Sequence, residues 1–459
     1  MKMWDGRFSK GTDALMEAFN NSLPFDMALI EEDICGSVAW ANALEKAGVF
    51  GAAERERVVS GLKSILDDHR NGRIEFLNSD EDIHMAVERL LVERVGEAGE
   101  RLHTGRSRND QVITDTRLYA KKALSAVAGS LVELQRAVVG RAKSDLGVIA
   151  PGYTHLQQAQ PILLSHYWMS LFSILEREKS RVAHAAASAD ILPLGSGAIA
   201  GSGFPVDRGA IAAELGFSSV SANSIDMVAS RDFILESLSA FASVGIHLSR
   251  YAEDLIIWSS KEFAFVELDD AWSTGSSMMP QKKNPDSLEL IRGKSGRLIG
   301  NYVRMATTLK GLGLAYFKDL QEDKEPLFDS VRNIEMVINV FARVIETLTI
   351  RKDKIRQDLD PFLLATDMAD YLVRKGMPFR QAHKAIGRLV GYCVEADVKL
   401  TDVPLEKLRE FSEMFGDDVS TLYSWEQAVN ARTIAGGTGT DSVRAQIEMA
   451  EKLLNNDRF

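Results

Sequence analysis

The sequence predicts a mostly α-helical protein, in which a central bundle of long helices is flanked by two smaller helical domains. Two observations lead to this fold class. Apolar residues recur at helical spacing through five segments that exceed the mean length of a protein helix, and little alternating apolar and polar pattern lies between them. The five segments are residues 110–138, 162–189, 231–258, 285–309 and 326–348.

Several of these segments are apolar on more than one face. In the third, Phe233, Leu235 and Phe241 do not fall on a single narrow stripe. A helix with such a broad apolar surface is typically surrounded by other helices. We therefore expect the bundle to be shared between subunits.

Shorter helices are expected before the bundle. One helical pattern covers residues 25–44 and ends at Gly48, and a second covers residues 58–66. A third, at residues 83–91, follows the acidic segment 79–82, which is suited to capping a helix. We assign residues 1–106 to an N-terminal helical domain.

Short helical patterns return after the bundle, and prolines separate them. The strand-like run that the sequence shows is short, at residues 263–268. We assign residues 107–360 to the central bundle, which includes a catalytic loop at 275–286, and residues 361–459 to a small C-terminal helical domain. The C-terminal helices are expected at residues 367–374, 379–396 and 405–411.

The composition is that of a globular chain of 459 residues, with 45% hydrophobic and 26% charged residues. A net charge of -11 argues against nucleic acid as the main partner and against a basic membrane-surface role. The sequence shows neither a long apolar run nor a secretory signal, so we expect a cytoplasmic protein. Its two cysteines, Cys35 and Cys393, form neither a disulfide framework nor a metal pattern and are expected to be packed thiols.

Residues 275–286 are too polar for a core and too rich in reactive groups for an ordinary connection; they read GSSMMPQKKNPD. Pro280 and Pro285 prevent regular structure across the stretch. Asn284 followed by Pro285 is typical of an N-cap and a first helical turn. Lys282 and Lys283 beside a helix N-terminus would favour a bound anion. We therefore interpret the stretch as a working loop rather than a solvated turn.

Two further stretches are comparably polar. Residues 104–111, TGRSRNDQ, precede the first long helix, and Asn109 and Asp110 are placed to cap it. Arg106 and Arg108 would diverge on a helix, but both could face an anion from a turn. Alone, such a pair is more typical of a solvated loop or a salt-bridge site.

The third stretch, residues 150–161, reads APGYTHLQQAQP and connects two long helices between prolines. A histidine can act as acid, base or proton shuttle near neutral pH, although most histidines at helix junctions are structural. His155 stands among Thr154, Gln157 and Gln158, which supply more hydroxyl and amide groups than a turn requires. His155 is therefore a candidate for proton transfer.

These three stretches resemble, in order, the three signature regions of the fumarase, aspartase, adenylosuccinate lyase and argininosuccinate lyase superfamily. The loop at 275–286 is similar to the argininosuccinate lyase branch, in which Gln281-Lys282-Lys283 distinguishes it from related branches. Segments 192–198 and 316–324 and the start Trp4-Asp5-Gly6-Arg7-Phe8 also resemble that branch, and the likeness covers nearly the whole chain. One departure is Asp5, where the branch more commonly has glycine.

The resemblance implies reversible cleavage of argininosuccinate to L-arginine and fumarate, without a cofactor or metal, in arginine biosynthesis. A weakly acidic C–H beside a carboxylate loses its proton to give an aci-carboxylate carbanion, and the C–N bond then breaks as the leaving guanidinium is protonated. The site needs a base, an acid and fixed positive donors around the developing charge. The resemblance also implies a homotetramer, with a central bundle of helices from all four chains and sites shared between subunits.

The resemblance carries roles over to individual residues. Ser276 and His155 are the implied acid–base pair, with either of them able to take the carbon proton. Glu289 orients the histidine, and Lys282 and Asn284 hold the substrate carboxylate. The implied catalytic residues are Ser276, His155, Glu289 and Lys282. The implied substrate-binding residues are Ser22, Arg108, Asn109, Thr154, Arg231, Asn284, Tyr316, Gln321 and Lys324.

Three alternatives remain open from the sequence. The chain could be another fumarate-releasing lyase, although adenylosuccinate lyase typically has His-Lys and fumarase Gly-Lys where Gln281-Lys282 stands here. It could be a catalytically silent structural relative, as some lens delta-crystallins are, although its three regions are intact. A helical scaffold for partner proteins would instead predict exposed apolar faces and a monomer.

Overall fold

The computed structural model describes residues 10–77 and 79–456 and is mostly α-helical, as the sequence predicts. The predicted start segment Trp4-Asp5-Gly6-Arg7-Phe8 lies outside the described residues. Five long helices are present at the positions that the spacing of apolar residues predicts. They are α7 (Arg108–Ser144), α8 (Leu164–Ala189), α11 (Asp232–Ser259), α12 (Asp286–Leu309) and α13 (Lys324–Thr347).

Shorter helices surround these five in sequence. Those before α7 are α1 (Ala14–Asn20), α2 (Leu23–Asp26), α3 (Ile30–Lys46), α4 (Ala52–Arg70), α5 (Ile83–Val95) and α6 (Glu97–Glu100). Those between α8 and α11 are α9 (Arg208–Leu215) and α10 (Ser224–Ala229). Those after α13 are α14 (Lys352–Gln357), α15 (Ala365–Arg374), α16 (Phe379–Ala396), α17 (Leu405–Phe411), α18 (Trp425–Asn430) and α19 (Thr440–Asn456). Short 3₁₀ helices, among them Arg101–His103 and Lys318–Asp323, connect several of them.

The chain divides into two compact units, and the divisions fall within the five long helices. The first unit comprises Met1–Ala128, Ser180–Ser243 and Gly296–Glu335. The second comprises Gly129–Lys179, Val244–Ser295 and Met336–Phe459. The three domains expected from the sequence, 1–106, 107–360 and 361–459, stay a prediction.

In the first unit, α3, α4 and α5 pack through an apolar core that includes Trp40, Leu62 and Leu91, each fully buried. Asp82 caps α5 by accepting a hydrogen bond from the backbone N–H of Met85 at 2.7 Å, as the acidic start of the segment predicts. Gly61 permits the close approach of α4 to α5, because a Cβ there would lie 2.9 Å from the side chain of Leu91.

In the second unit, the C-terminal helices α15, α16 and α17 share a compact core. Tyr371 and Phe415 stack within it, with ring centroids 6.0 Å apart, and Leu372, Leu389 and Leu408 are fully buried. This core confirms the short amphipathic helices expected after residue 360.

The strand content differs from the sequence-based expectation. Segment 263–268 contributes only β5 (Val266–Glu267), whereas residues 149–163 form an unpredicted antiparallel hairpin of β1 (Ile149–Thr154) and β2 (Gln157–Leu163). The remaining strands have two residues each: β3 (Ile191–Leu192), β4 (Ser219–Val220), β6 (Thr274–Gly275), β7 (Lys283–Asn284) and β8 (Thr349–Ile350). They pair as β3 with β4, β5 with β8, and β6 with β7.

The two cysteines also differ from each other. Cys393 is buried, as expected, but the prediction for Cys35 is wrong, because it lies on the exposed side of α3. Across the described residues, the model contains no helix with the length and apolar character that a bilayer crossing requires.

Candidate active site

The first polar stretch opens α7 through reciprocal hydrogen bonds. The Ser107 hydroxyl accepts the backbone N–H of Asn109 at 3.2 Å, and the Asp110 carboxylate accepts that of Ser107 at 2.9 Å. Ser107 is therefore the N-cap in place of Asn109, and Asp110 caps the helix start with it, as predicted. The second carboxylate oxygen of Asp110 accepts the N–H groups of Gly195 and Gly197 at 2.9 and 2.8 Å, which joins the start of α7 to segment 192–198.

A cavity of about 250 Å³ in the first unit collects most of the predicted binding residues. It lies among segments that are far apart in sequence, near residues 22, 82, 108 and 318. Six of the nine substrate-binding residues implied by the resemblance line it. They are Ser22, Arg108, Asn109, Tyr316, Gln321 and Lys324.

Lys324 is held at the cavity by a buried ion network. Its Nζ lies 2.8 Å from Asp323 Oδ1, and Asp323 Oδ2 also accepts the Nε–H of Arg231 at 2.5 Å. Burial opposes the charge on Lys324, but Asp323 and Asp26 outweigh burial and raise its pKa. Burial likewise opposes the charge on Asp323, and the two cations overcome it and lower its pKa. Arg231, itself fully buried, therefore reaches the cavity through Asp323 and Lys324.

Ser22 and Asp26 form a second buried pair in the cavity wall. The Ser22 hydroxyl donates to Asp26 Oδ2, and the Ser22 backbone N–H donates to the Glu81 carbonyl at 2.8 Å. Burial raises the pKa of Asp26 to about 6, although Lys324 and Ser22 act in the opposite direction. The remaining Asp26 oxygen, Oδ1, is buried and has no hydrogen-bond partner among the described residues.

The cavity lining also includes the start of α7 and the 3₁₀ helix Lys318–Asp323. The Arg108 guanidinium lies 3.5 Å from Asp82 and 3.8 Å from Glu88. Gln321 donates to the carbonyl of Asn20 at 3.2 Å, and Lys318 pairs with Glu81 at 3.2 Å. Burial raises the pKa of Tyr316. The cavity thus mixes acidic and basic groups, as an amphoteric ligand requires.

The second polar stretch folds as the β1–β2 hairpin, with His155 and Leu156 as its two turn residues. Both have positive φ, 55° and 58°, which is the backbone of a type I′ turn and is strained for residues other than glycine. Thr154 and His155 are exposed at the tip. The hairpin is fixed by Gln158, which donates to the Asp358 carbonyl at 2.9 Å and accepts the Asp360 N–H at 3.2 Å.

Thr154 and His155 border a cavity of about 680 Å³ within the second unit. Its other wall is aromatic, and Tyr167 donates to Asp254 at 3.0 Å within it. The imidazole of His155 is thus at an exposed turn beside this cavity, where a ligand could reach it.

The third polar stretch is a loop closed at its base by two short strands. Thr274 pairs with Asn284 and Gly275 with Lys283. The predicted start of the following helix is corrected here, because α12 begins at Asp286 and Asn284 belongs to β7 instead of capping the helix. The Pro285 carbonyl accepts the N–H groups of Leu288 and Glu289 at 3.0 and 3.1 Å.

Ser276 lies at the start of this loop, and its Oγ accepts two backbone hydrogen bonds. The donors are the N–H groups of Met278 at 3.2 Å and Met279 at 3.0 Å. Donors directed at a hydroxyl oxygen favour its deprotonated form. This arrangement can stabilise negative charge on Ser276.

The two lysines of the loop have different surroundings. Lys283 pairs with Asp270 at 2.6 Å and with Glu267 at 3.5 Å, so it anchors the base of the loop. Lys282 is exposed, and no ion pair of its Nζ is found within residues 10–77 and 79–456. Both line a cavity of about 530 Å³ with Asn284, which donates to the Gly275 carbonyl at 3.4 Å. Lys282 is therefore the loop cation left for a ligand.

Glu289 lies on the first turn of α12, half exposed, with Arg292 Nη2 at 4.0 Å. In the part of the chain that the model describes, no hydrogen bond joins it to His155. The predicted orienting contact is thus not formed within one chain.

The comparisons with known proteins agree over almost the whole chain. A family model described as lyase matches residues 6–300, and one described as argininosuccinate lyase C-terminal matches residues 362–430. The chain is 48% identical to an argininosuccinate lyase of Moorella thermoacetica, with 99% of this chain and 98% of the relative covered. It is 50% identical to one of Roseiflexus sp., with 98% and 99% covered. The chain belongs to the argininosuccinate lyase family.

Solved structures place this lyase in the same fold. EDDS lyase in complex with formate has a TM-score of 0.86 and 29% identity, and the match covers 95% of this chain and 88% of that one. A class II fumarase of Schistosoma mansoni has a TM-score of 0.77 at 17% identity, covering 91% and 95%, and shows the fold alone. The predicted fold class, a helical bundle like those of the fumarase/aspartase superfamily, is confirmed.

Ten of the thirteen site residues predicted for this argininosuccinate lyase family member border one of three cavities, and Ser276, Glu289 and Arg231 do not. Six binding residues share the first-unit cavity, Thr154 and His155 border a second cavity, and Lys282 and Asn284 border a third. Sequence reasoning assigned no site role to six further ionisable residues of the first cavity. They are Asp26, Glu81, Asp82, His84, His103 and Lys318. The nearest sequence signal was the acidic segment 79–82, which predicted a helix cap and not a binding role.

Proposed function

We propose that this lyase cleaves argininosuccinate reversibly to L-arginine and fumarate, in arginine biosynthesis. The observation that carries the proposal is its full-length identity of 48% to a relative named argininosuccinate lyase. The C-terminal match to the argininosuccinate lyase model, at residues 362–430, supports the same branch over other fumarate-releasing lyases. The elimination has two chemical requirements, and we propose residues of this chain for each of them.

The first requirement is a base for the C–H beside the substrate carboxylate. We assign it to Ser276, because the N–H groups of Met278 and Met279 would stabilise its alkoxide. The electron pair of that C–H bond first moves into the carboxylate to give the aci-carboxylate, and it then forms the C=C bond of fumarate as the C–N bond breaks. The proton that the leaving guanidino nitrogen requires comes from His155, held at the tip of its strained turn.

The second requirement is positive charge beside the aci-carboxylate. Lys282 and Asn284 supply it from the loop, while Ser22, Arg108, Asn109, Tyr316, Gln321 and Lys324 bind the rest of the substrate in the first-unit cavity. Thr154 binds substrate next to His155, and Glu289 orients the His155 imidazole. Arg231 stabilises Lys324 through Asp323, which both of them contact. No cofactor or metal enters these steps.

The proposal includes a homotetramer in which several subunits build each site. Its support is the apolar surface of the long helices, since α12 exposes 53% of Val303 and 61% of Leu290. Ile299 and Tyr302 lie on the same helix and are also exposed. A contact between His155 and Glu289 would then form between chains. The expected location is the cytoplasm.

The test is the ultraviolet absorbance of fumarate formed on adding argininosuccinate, with adenylosuccinate, malate and aspartate as controls. Fumarate from argininosuccinate alone supports the proposal. Fumarate from a control substrate would assign the chain to another reaction of the superfamily. A folded, tetrameric protein that forms none, and whose melting temperature is unchanged by arginine with fumarate, would be the silent structural relative.

A further inference from the structure

Three buried ionisable side chains meet beside the first-unit cavity and have no part in the mechanism above. Asp33 lies on α3, His84 on α5 and Asp115 on α7. The side chains are at most 1% exposed, and one ligand-type atom of each lies within 4.8 Å of the others. We name Asp33, His84 and Asp115 the buried triad.

The triad fixes the orientation of the imidazole. His84 Nδ1 lies 2.8 Å from Asp33 Oδ1 and 3.4 Å from Asp115 Oδ2. Gln111, one turn before Asp115, donates to the same Asp33 oxygen at 2.5 Å. Asp33 Oδ1 therefore accepts two donors, so the proton on the imidazole is at Nδ1.

The surroundings of the two carboxyl groups favour a second proton shared between them. Burial, and then the neighbouring Asp33, raise the pKa of Asp115 well above its ordinary value. Asp33 Oδ2 and Asp115 Oδ2 are both buried and lack a hydrogen-bond partner among the described residues, and one shared proton would satisfy both. The surrounding charges are Glu32 on α3, Glu88 on α5 and Arg106 before α7, of which Arg106 partly offsets the two acids.

The other nitrogen of the His84 imidazole is Nε2. His84 Nε2 is buried without a hydrogen-bond partner in the described chain, and His84 itself lines the cavity that contains Ser22, Arg108 and Lys324. A buried polar atom without a hydrogen-bond partner costs free energy, unless a bound ligand supplies that partner. With Nδ1 occupied by Asp33, Nε2 of the neutral ring is an acceptor.

We propose that His84 Nε2 accepts a hydrogen bond from a cationic N–H group of the ligand, and that Asp33 and Asp115 are positioning residues that keep Nε2 in the acceptor form. The inference rests on the proposed function, because the arginine part of argininosuccinate supplies ammonium and guanidinium donors. The cavity lining also includes the carboxyl groups of Asp26, Glu81 and Asp82, which offer further acceptors to a cationic group. The triad therefore determines recognition of the arginine part, not of the fumarate part.

The experiment compares His84→Leu, His84→Gln, Asp33→Asn and Asp115→Asn with the wild type, and Asp441→Asn, whose side chain is 98% exposed, serves as the surface control. For each variant, kcat and KM for argininosuccinate are measured, together with the inhibition constants of L-arginine and fumarate. Melting temperatures and tetramer content identify variants that fail to fold.

His84→Leu should raise KM and the inhibition constant of L-arginine by about ten- to a hundredfold, as expected for loss of a hydrogen bond to a charged group. The inhibition constant of fumarate should change by less than about threefold. His84→Gln, which retains an acceptor, should recover part of the loss. Asp33→Asn should weaken L-arginine binding in the same direction as His84→Leu but less, because its amide oxygen can still accept Nδ1–H while the loss of negative charge weakens the hold on that proton. Asp115→Asn should have a smaller effect than Asp33→Asn, since an amide can donate to Asp33 as the protonated acid does.

Two outcomes would overturn the inference while the wild type still cleaves argininosuccinate. One is equal loss of L-arginine and fumarate binding in the folded variants, which would make the triad structural. The other is a stoichiometric divalent ion found by elemental analysis and lost equally in Asp33→Asn and Asp115→Asn, which would make it a metal site. A wild type that forms no fumarate would instead contradict the proposed function.

Discussion

Asp323 Oδ2 accepts the Nε–H of Arg231 at 2.5 Å, and neither side chain is reached by solvent. The other oxygen of Asp323 holds Lys324 at 2.8 Å, so one carboxylate pairs with two buried cations. Replacing it would remove the carboxylate paired with Arg231 and would leave Asp26 as the acid that stabilises the charge of Lys324. Such a change is far more destabilising than loss of a surface ion pair.

Asp323→Asn should therefore lower the free energy of unfolding by about 3–5 kcal/mol, measured by denaturant titration. The matched control is Glu322→Gln, which breaks the exposed pair between Glu322 and Arg304 and should change stability by about 1 kcal/mol or less. Similar values for the two variants would show that the buried network contributes no more than a surface pair.

Ser276→Ala tests the assigned base. Because the Ser276 Oγ accepts two backbone N–H groups and carries no structural side-chain contact in the described chain, its loss should leave folding unchanged and lower kcat by about 10²–10⁴-fold. Ser277→Ala, at the exposed neighbouring position, is the control and should remain near wild type. Retained turnover in Ser276→Ala would remove the serine from the mechanism.

Lys282→Ala and Lys283→Ala separate ligand binding from loop anchoring. Lys282 is exposed at its cavity, whereas Lys283 is paired with Asp270. Loss of a donor to the developing charge lowers kcat by about 10²–10³-fold, so we expect this effect for Lys282→Ala. Lys283→Ala should have the smaller effect, and the reverse order would assign the carboxylate contact to Lys283.

The helices could be predicted from sequence because their signals are local. Apolar spacing predicted α7, α8, α11, α12 and α13, and an acidic cap predicted the start of α5. The hairpin could not be predicted in this way, because proline normally argues against a strand. In the structure Pro151 and Pro161 face each other across the ladder, so neither the pairing nor the turn at His155 has a local signature.

Only part of the site could be predicted, because its sequence signals are also local. A motif reveals residues whose neighbours in sequence are also unusual, as at Ser276 and Arg108. Asp26 and His84 stand within ordinary helical patterns, and only folding brings them to the cavity of Ser22 and Lys324. Asp33 and Asp115 are separated by more than eighty residues, so their shared environment is a tertiary property.

Asp26 should make stability depend on pH. Its pKa is raised from 3.8 to about 6 in the folded state, so between these values the folded protein binds more protons than the unfolded chain. The resulting stabilisation is fully present below pH 3.8 and is lost as pH rises through about 6, by about 3 kcal/mol in total. Urea unfolding of wild type and Asp26→Asn across this window isolates the effect. A pH-independent difference between them would contradict it.

The β1–β2 turn predicts a stabilising substitution. Leu156 has a φ of 58° and is 72% exposed, so its side chain buries little surface while its Cβ strains the backbone. Leu156→Gly should relieve that strain and raise the free energy of unfolding by about 1 kcal/mol, whereas the β-branched Leu156→Val should lower it. Thermal and urea unfolding measure both changes. Because His155 stays in place, Leu156→Gly should retain fumarate formation, while His155→Ala should lose it. A less stable glycine variant would mean that the turn does not hold the positive φ that the structure shows.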